Sequence, residues 1–476
     1  MLTLNKFYID GAWVDPASKA TMPIMNPATA RQIGTVAIGN SEDVDRAVTA
    51  AKRSFETFSL TTKDERLTLL EKLRVETKAR LNDLAAAMTS EMGAPITMSR
   101  EVQAFAGLGH LEDFITALEN MDEEETLQNG DIISREPIGV CGLITPWNWP
   151  INQISLKVVP ALATGATCVL KPSEHTPISA QIYAEIVHAA GYPAGVFNLV
   201  QGDGLSVGAA MSKHPDIDMM SFTGSTRAGT AVSKDAADDV KRVTLELGGK
   251  SPNLVFADAD LERCVAASVA ECFYNTGQSC NAPTRLLVER SCYDQALTLA
   301  KTAAEAQKVG DPNQEGDHIG PLFDKIQYDR VQAMIQVGID EGARLLVGGL
   351  GKPDGLEDGW FVKPTIFCDV DHEMRISREE IFGPVLVITP FETEDQAIAL
   401  ANDTEYGLAA YVQSSNEARV TRVVRRLRAG TIQINGRGPD YGSPFGGYKM
   451  SGNGREGGVF GLEDYLEIKV RPPFMA

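Results

Sequence analysis

Five short segments carry residues whose chemistry goes beyond that of a surface or a core. Cys280 lies in Asn275-Thr276-Gly277-Gln278-Ser279-Cys280-Asn281-Ala282-Pro283, a polar, glycine-containing turn after an apolar helix. Cys168 and Cys264 fall at apolar periodic positions, where a thiol behaves as a small hydrophobe. Cys280 is therefore the cysteine whose surroundings suit a reactive thiolate and covalent catalysis. Nothing local supplies the histidine that a papain-like pair needs. Glu246, in Leu245-Glu246-Leu247-Gly248-Gly249-Lys250, ends an apolar strand. Burial there raises a carboxyl pKa and makes a candidate general base, the structural alternative being an ion pair with Lys250.

The segment Ile144-Thr145-Pro146-Trp147-Asn148-Trp149-Pro150 pins a loop directly after a buried strand. The Asn148 amide can donate to a developing oxyanion, or cap its own turn. Lys171-Pro172-Ser173-Glu174 also comes directly after a strand. A lysine there can reach ribose or phosphate oxygens, and a carboxylate three residues on can accept ribose hydroxyls while repelling a 2′-phosphate. A solvated surface ion pair is the plainer reading of the same four residues. Phe222-Thr223-Gly224-Ser225-Thr226 reads as strand, glycine turn and helix start, a place for a pyrophosphate. It is neither GxGxxG nor a P-loop, so by itself it is a weak signal.

These segments need a scaffold, and the chain supplies an α/β one. From Val140 onward, short apolar runs (Val140–Ile144, Thr167–Leu170, Val196–Val200, Met219–Phe222, Val243–Leu247) alternate with helical stretches, the pattern of a doubly wound parallel sheet. One helix opens at Thr176-Pro177 and stops before Gly191. A second α/β series comes next, with strands at Pro252–Phe256, Arg285–Glu289, Pro384–Phe391 and Gly430–Ile434. Before Val140 the chain reads helical from the cap-like Ser41-Glu42-Asp43 to Met92. Glu112 to Glu136 reads as a hairpin arm and Asp464–Val470 as an edge strand; both fit neither domain and invite pairing with another chain.

Composition excludes several classes. The chain has 476 residues and a formal charge of −20, so it has no basic excess with which to neutralise nucleic acid. The N-terminus has no signal-peptide pattern, and Val158–Leu170 is too short to span a membrane. Seven scattered cysteines without CxxC fit reduced thiols, hence a cytoplasmic protein. The six histidines form no metal-ligand spacing, and no metal site is expected.

Taken in order, ELGGKSPN and then FYNTGQSC, with PWNWP, KPSE, FTGST, Glu379-Glu380-Ile381-Phe382-Gly383-Pro384 and Ser443–Gly452, resemble the motifs of the NAD(P)-dependent aldehyde dehydrogenase superfamily over nearly the whole chain. The resemblance implies an atypical Rossmann cofactor domain (1–115 and 138–248), an α/β catalytic domain (249–447) and a small oligomerisation arm with the C-terminal tail (116–137 and 448–476). It implies a homodimer or homotetramer acting on a small-molecule aldehyde with NAD, NADP being admitted. Carried over, Cys280 attacks the aldehyde, Asn148 and the Cys280 N–H hold the oxyanion, and Glu246 activates the water that hydrolyses the thioester. The presence of Glu246 speaks against a CoA-acylating branch.

The same resemblance places Ile144, Thr145, Pro146, Trp147, Lys171 (counted also with the catalytic residues), Ser173 and Glu174 at the cofactor. With them go Gly204, Gly208, Phe222, Thr223, Gly224, Ser225, Leu247, Gly248, Glu380 and Phe382. Trp149, Gln278, Ser279, Tyr441 and Phe445 would border the aldehyde tunnel. Arg437 would anchor a distal carboxylate or point to solvent. A thiol-dependent esterase and a non-catalytic binding protein are the competing functions; intact Cys280, Asn148 and Glu246 weigh against the second.

Overall fold

The apolar runs after Val140 form five parallel strands: β1 (Val140–Ile144), β2 (Thr167–Lys171), β3 (Phe197–Leu199), β4 (Met219–Thr223) and β5 (Arg242–Glu246). The structure is a computed structural model and describes residues 1–474. The first four strands are buried along their whole length, as strands covered by helices on both faces must be. Their spatial order is 5-4-1-2-3, so the direction of winding reverses between β1 and β4. Ligands of open α/β sheets bind at the carboxyl ends of the two strands flanking such a reversal. The hairpin Phe7–Ile9/Ala12–Val14 closes the β3 edge and Gly452–Asn453 closes the β5 edge, both antiparallel. The last assignment corrects the sequence reading, which left all of 448–476 to the arm and tail.

Helices α1 (Pro150–Thr164) and α2 (Pro177–Ala190) each open on proline and end at a left-handed glycine, Gly165 and Gly191. Thr176 makes no side-chain cap to α2. The Glu91 carboxylate instead accepts from the N–H groups of Ile178 at 2.6 Å and Ser179 at 2.9 Å. The early helical region divides at Ser59–Thr62 and at Arg80, and its first helix is capped by Asn40 and Asp43, one residue before the expected signal.

The second sheet runs, in spatial order, Arg344–Val347, Thr365–Cys368, Val385–Phe391, Arg285–Glu289, Pro252–Val255, Ala409–Gln413 and Thr431–Ile434, all parallel but the first. The fully buried Arg285 ties the segment that follows β5 to the helix Glu394–Asn402. Its guanidinium donates to the carbonyls of Lys250, Leu400 and Ala401, each at 2.9 Å, so every nitrogen is used. A third unit pairs Glu124–Thr126 with Ile132–Pro137, and that strand with Leu466–Arg471. These strands lie in the two segments read as fitting neither domain, and the first of them comes only after the helix Ala104–Asn120.

Candidate active site

The turn that carries Cys280 is held in an unusual backbone conformation. Asn275, Thr276 and Gly277 are consecutive left-handed residues, with φ of 52°, 58° and 72°. A β-branched threonine is rarely found there, and surrounding bonds must enforce it. Asn275 Nδ2 donates to the carbonyls of Asn148 (2.9 Å) and Gln278 (3.2 Å), and Thr276 Oγ1 donates to the Gly320 carbonyl (3.1 Å). A side chain at Gly277 would lie 2.2 Å from the Gly383 backbone, so the turn also rests on the segment containing Glu380 and Phe382.

The two glycines of Leu247-Gly248-Gly249-Lys250 make room for the site. A Cβ on Gly249 would stand 2.3 Å from the Cys280 carbonyl oxygen, and one on Gly248 would stand 2.5 Å from a Glu380 carboxylate oxygen. Glu380 in turn accepts the Gly249 N–H at 3.0 Å. The glycine pair thus lets the chain after β5, the Cys280 turn and Glu380 converge on one point.

Around that point lies a cavity of about 200 Å³, bordered by Cys280, Asn148, Glu246, Trp149, Gln153 and Thr223 at one end. Trp147, Glu380, Phe382, Phe323, Gln327 and Arg330 border the other, with Pro146, Gly224, Ser225, Leu247 and Gly248 between. The segments after β1 and β4 both contribute, so it sits at the winding reversal. Trp147 stacks on Phe323 (centroids 3.7 Å apart) and meets Phe382 edge-on (5.5 Å), walling that end with aromatic surface.

The Asn148 side chain is buried and donates one N–H to the Gln278 carbonyl at 2.9 Å, which fixes the amide and leaves its second N–H for a ligand. Glu246 is also buried, and neither of its carboxylate oxygens has a hydrogen-bond partner. Burial, and then the neighbouring charge of Glu456, push its carboxyl well above the usual range; Lys157 and Arg455 pull the other way. Lys250 is not its partner: the buried Lys250 ammonium is likewise unpaired, and burial with the Arg285 charge brings it down to about 7. Lys157 pairs with Glu456 at 2.5 Å behind Glu246.

The thiolate expected at Cys280 from its polar neighbours is not what the fold produces. Burial, then the Glu246 and Glu380 charges, push the thiol upward, against smaller help from the N–H groups of Asn281 and Cys280 itself. The neighbours are polar, but their polar atoms are turned into the clamp that shapes the turn. Loss of the thiol proton therefore has to accompany its attack; Glu246 and Glu380 both border the same cavity.

The remaining cofactor candidates lie alongside. Lys171 Nζ donates to the Gly202 carbonyl (2.8 Å) and to Glu174 (3.2 Å), leaving one N–H free. A side chain at Gly208 would come within 3.8 Å of both Ile144 and Lys171, while nothing lies within 4 Å at Gly204. Burial alone would raise the Glu174 carboxyl, but Lys171 and the local N–H hold it below its ordinary value, so it is anionic. His175 meets Phe323 edge-on at 4.8 Å and joins this cluster, with Thr145 and Ser173, to the cavity. Across it, Phe222 packs under Gly224, and Ser225 caps the helix Thr226–Ala236, whose first-turn N–H groups have no intrahelical acceptors. These donors, carboxylates and open glycines at a 3-2-1-4-5 reversal fit an extended dinucleotide. Lys171 belongs to this cluster and is not among the residues that border the cavity with Cys280.

The expected tunnel residues fare unevenly. Trp149 borders the cavity and donates from Nε1 to Ser279 Oγ at 3.0 Å. Gln278 is a buried strut: its amide donates to the Asn275 carbonyl and accepts the Phe323 N–H. Tyr441 covers Gly109 and packs edge-on to His110, Phe445 pairs its backbone with Glu456, and Arg437 is 86% exposed beside Asp440. None of these three reaches the cavity. Gln153, Phe323, Gln327 and Arg330 do, although no motif marked them. Gln153 had one available signal, standing four residues after Trp149 on the same helical face.

Comparison with known proteins gives the family. The model of the aldehyde dehydrogenase family matches residues 13–471. The chain is 52% identical over 471 residues to a 3-succinoylsemialdehyde-pyridine dehydrogenase of a Pseudomonas species, covering 99% of this chain and 98% of the relative. Among solved structures, an aldehyde dehydrogenase from Bartonella henselae matches with a TM-score of 0.98 at 49% identity, over 99% of each chain. A cysteine-to-alanine mutant of an aldehyde dehydrogenase from Pseudomonas syringae, complexed with NAD+ and octanal, matches with a TM-score of 0.97 at 48% identity, over 98% of this chain and 96% of that one.

Proposed function

Since this chain belongs to the aldehyde dehydrogenase family, and so oxidises aldehydes to carboxylic acids with reduction of NAD, we propose that Cys280, Asn148 and Glu246 carry the chemistry. The observation behind this assignment is that one cavity is bordered by a turn-mounted thiol, a fixed amide donor and a buried carboxyl with both oxygens unpartnered. Cys280 Sγ bonds to the aldehyde carbon as its S–H bond breaks and the proton passes to solvent water. The free Asn148 N–H and the Cys280 backbone N–H take the negative charge that develops on the aldehyde oxygen. Bound nicotinamide supplies the acceptor for the hydride. Cys280 is then a thioester, and Glu246 removes a proton from the water that attacks it, releasing the acid and restoring the thiol.

Lys171 and Glu174 are assigned to the adenosine ribose, Gly224, Ser225 and the adjoining helix N-terminus to the pyrophosphate, and Glu380 with Phe382 to the nicotinamide end. The sheet of β1–β5 is thereby the cofactor domain, and the second sheet the catalytic domain. The arm, whose outer strand exposes Ile468 and Val470, supports a homodimer or homotetramer. Seven unpaired cysteines support a cytoplasmic setting. No helix among the described residues is long and apolar enough to cross a membrane.

The assignment is tested by following NADH at 340 nm with the purified protein and its Cys280→Ala variant over aliphatic, aromatic and carboxylate-bearing aldehydes, with NADP in parallel. Loss of turnover in the variant with retained NAD binding is expected. Turnover at the wild-type rate would remove Cys280 as the nucleophile, and ester hydrolysis without NADH formation would favour the esterase.

A further inference from the structure

The first turn of α1 distributes its side chains unevenly. Ile151 packs onto Gly107, Asn152 shares a hydrogen bond with His110 Nε2 at 2.9 Å, and Ile154 enters the core. Gln153 is the side chain of that turn that borders the cavity, on the same face as Trp149. It is 7% exposed, and its Oε1 has no hydrogen-bond partner among the described residues. A buried amide oxygen left unpaired is costly, and native proteins seldom keep one without a use. Gln103 Oε1 is unpaired as well, but the Gln103 amide nitrogen and both ends of the Gln278 amide are bonded into the clamp around the Cys280 turn, and neither residue is among those bordering the cavity. Gln153 is bonded to nothing in that clamp, so it is not needed to shape the turn.

The charges around the cavity narrow what Gln153 can meet. Glu246 and Glu380 border it, and the bordering cation, Arg330, donates to the Glu380 carbonyl at 2.7 Å, at the aromatic end. Arg437 lies out in solvent beside Asp440. A substrate carboxylate beside Gln153 would face Glu246 and Glu380, and the bordering cation, Arg330, is engaged with the Glu380 carbonyl. A neutral oxygen or nitrogen on the aldehyde's chain brings no charge to that setting and can bond to the free amide.

We propose that Gln153 is a specificity-determining residue that reads a neutral hydrogen-bonding group, such as a ketone or hydroxyl, carried on the chain of the aldehyde. The proposal rests on the reading of this cavity as the aldehyde site of an NAD-dependent oxidation. It distinguishes this chain's substrate class from purely aliphatic aldehydes and from aldehydes bearing a carboxylate.

Three aldehydes of similar size test it: 4-oxopentanal, 4-methylpentanal and succinate semialdehyde, which differ in carrying a ketone oxygen, a methyl or a carboxylate at the fourth carbon. The measured quantity is kcat/KM for NADH formation by the wild type and by Gln153→Met, which keeps length and removes both polar atoms. One recovered neutral hydrogen bond corresponds to roughly tenfold. The wild type is expected to favour 4-oxopentanal over 4-methylpentanal by about that factor, with succinate semialdehyde last. In Gln153→Met, melting at the wild-type temperature, the ratio of the first two should fall to about one.

A wild-type ratio near one, a ratio unchanged in the variant, or succinate semialdehyde as the best of the three would overturn the proposal. The wild-type ratio decides even if the variant does not fold. Absence of NADH from all three with wild-type protein would instead overturn the reading of the reaction itself.

Discussion

Replacing Gly249 by alanine tests how the site is assembled. The added Cβ would stand 2.3 Å from the Cys280 carbonyl oxygen, whereas real Cβ contacts essentially never fall below 3.0 Å, so one partner must move by at least about 0.7 Å. The obstacle is backbone, and it cannot swing aside. The Cys280 turn is tied by Asn148 Nδ2 to the Gln278 carbonyl (2.9 Å), by Trp149 Nε1 to Ser279 (3.0 Å) and by the Tyr411 hydroxyl to the Asn281 carbonyl (2.8 Å). Displacement of a reacting atom by about 1 Å costs on the order of 10²-fold in rate, and overpacking of this kind costs about 1–3 kcal/mol of stability. Gly249→Ala should therefore lose about a hundredfold in kcat, with KM for NAD changed by less than a few fold, while still folding. Gly248→Ala is the matched control, because its Cβ meets the end of the Glu380 side chain at 2.5 Å, which can rotate away. It should keep most of kcat and weaken NAD. Steady-state NADH formation and a urea melt of each variant provide the readouts. A folded Gly249→Ala enzyme with wild-type kcat would refute the claim that this glycine sets the position of the nucleophile.

Glu174 is anionic beside Lys171, so a 2′-phosphate brought to it would meet a like charge. Glu174→Ser should raise kcat/KM for NADP by about tenfold or more, and an unchanged preference would show that the ribose lies elsewhere. Glu91 caps α2 from a fully buried position that lifts its carboxyl to about 7, against about 4.5 in the unfolded chain. A carboxyl raised in the folded state gives its full contribution below the unfolded value and loses it as pH climbs through the folded one, here about 3 kcal/mol. The urea midpoint of the wild type should therefore fall more between about pH 5 and 8 than that of Glu91→Gln. Equal pH dependences would contradict the burial argument.

Much of the site could be read from the chain because its segments are local. A parallel strand is a run of apolar residues, and the residues next in sequence also lie at its carboxyl end in space. Asn148, Lys171, Gly224 and Glu246 were legible for that reason. Features that depend on contacts between distant segments were not. Cys280 has polar neighbours in sequence, yet burial and the Glu246 and Glu380 charges push its thiol up, while Asn275, Thr276 and Gln278 turn their polar groups to Asn148, Gly320 and Phe323. Lys250 comes soon after Glu246, but two glycines turn the chain and leave both groups unpaired. Thr176 has the form of a cap, yet Glu91 from another helix reaches α2 first. Gln327 and Arg330 stand on the helix Lys325–Asp340, whose apolar period (Val331, Met334, Ile335) marks a helix but not a site, and only tertiary packing brings them and Phe323 to Trp147 and Glu380.

The division of labour between Cys280 and Glu246 is the central claim, and trapping the covalent intermediate tests it most directly. Glu246→Gln keeps the shape of the side chain and removes the base, so acylation should proceed and hydrolysis should stall. Mixed with NAD and excess aldehyde, it is predicted to release a burst of NADH of about one equivalent per site. It should also gain the mass of the acyl group, located by peptide mass spectrometry at Cys280. An acyl group on another residue, or sustained turnover without any adduct, would contradict the account.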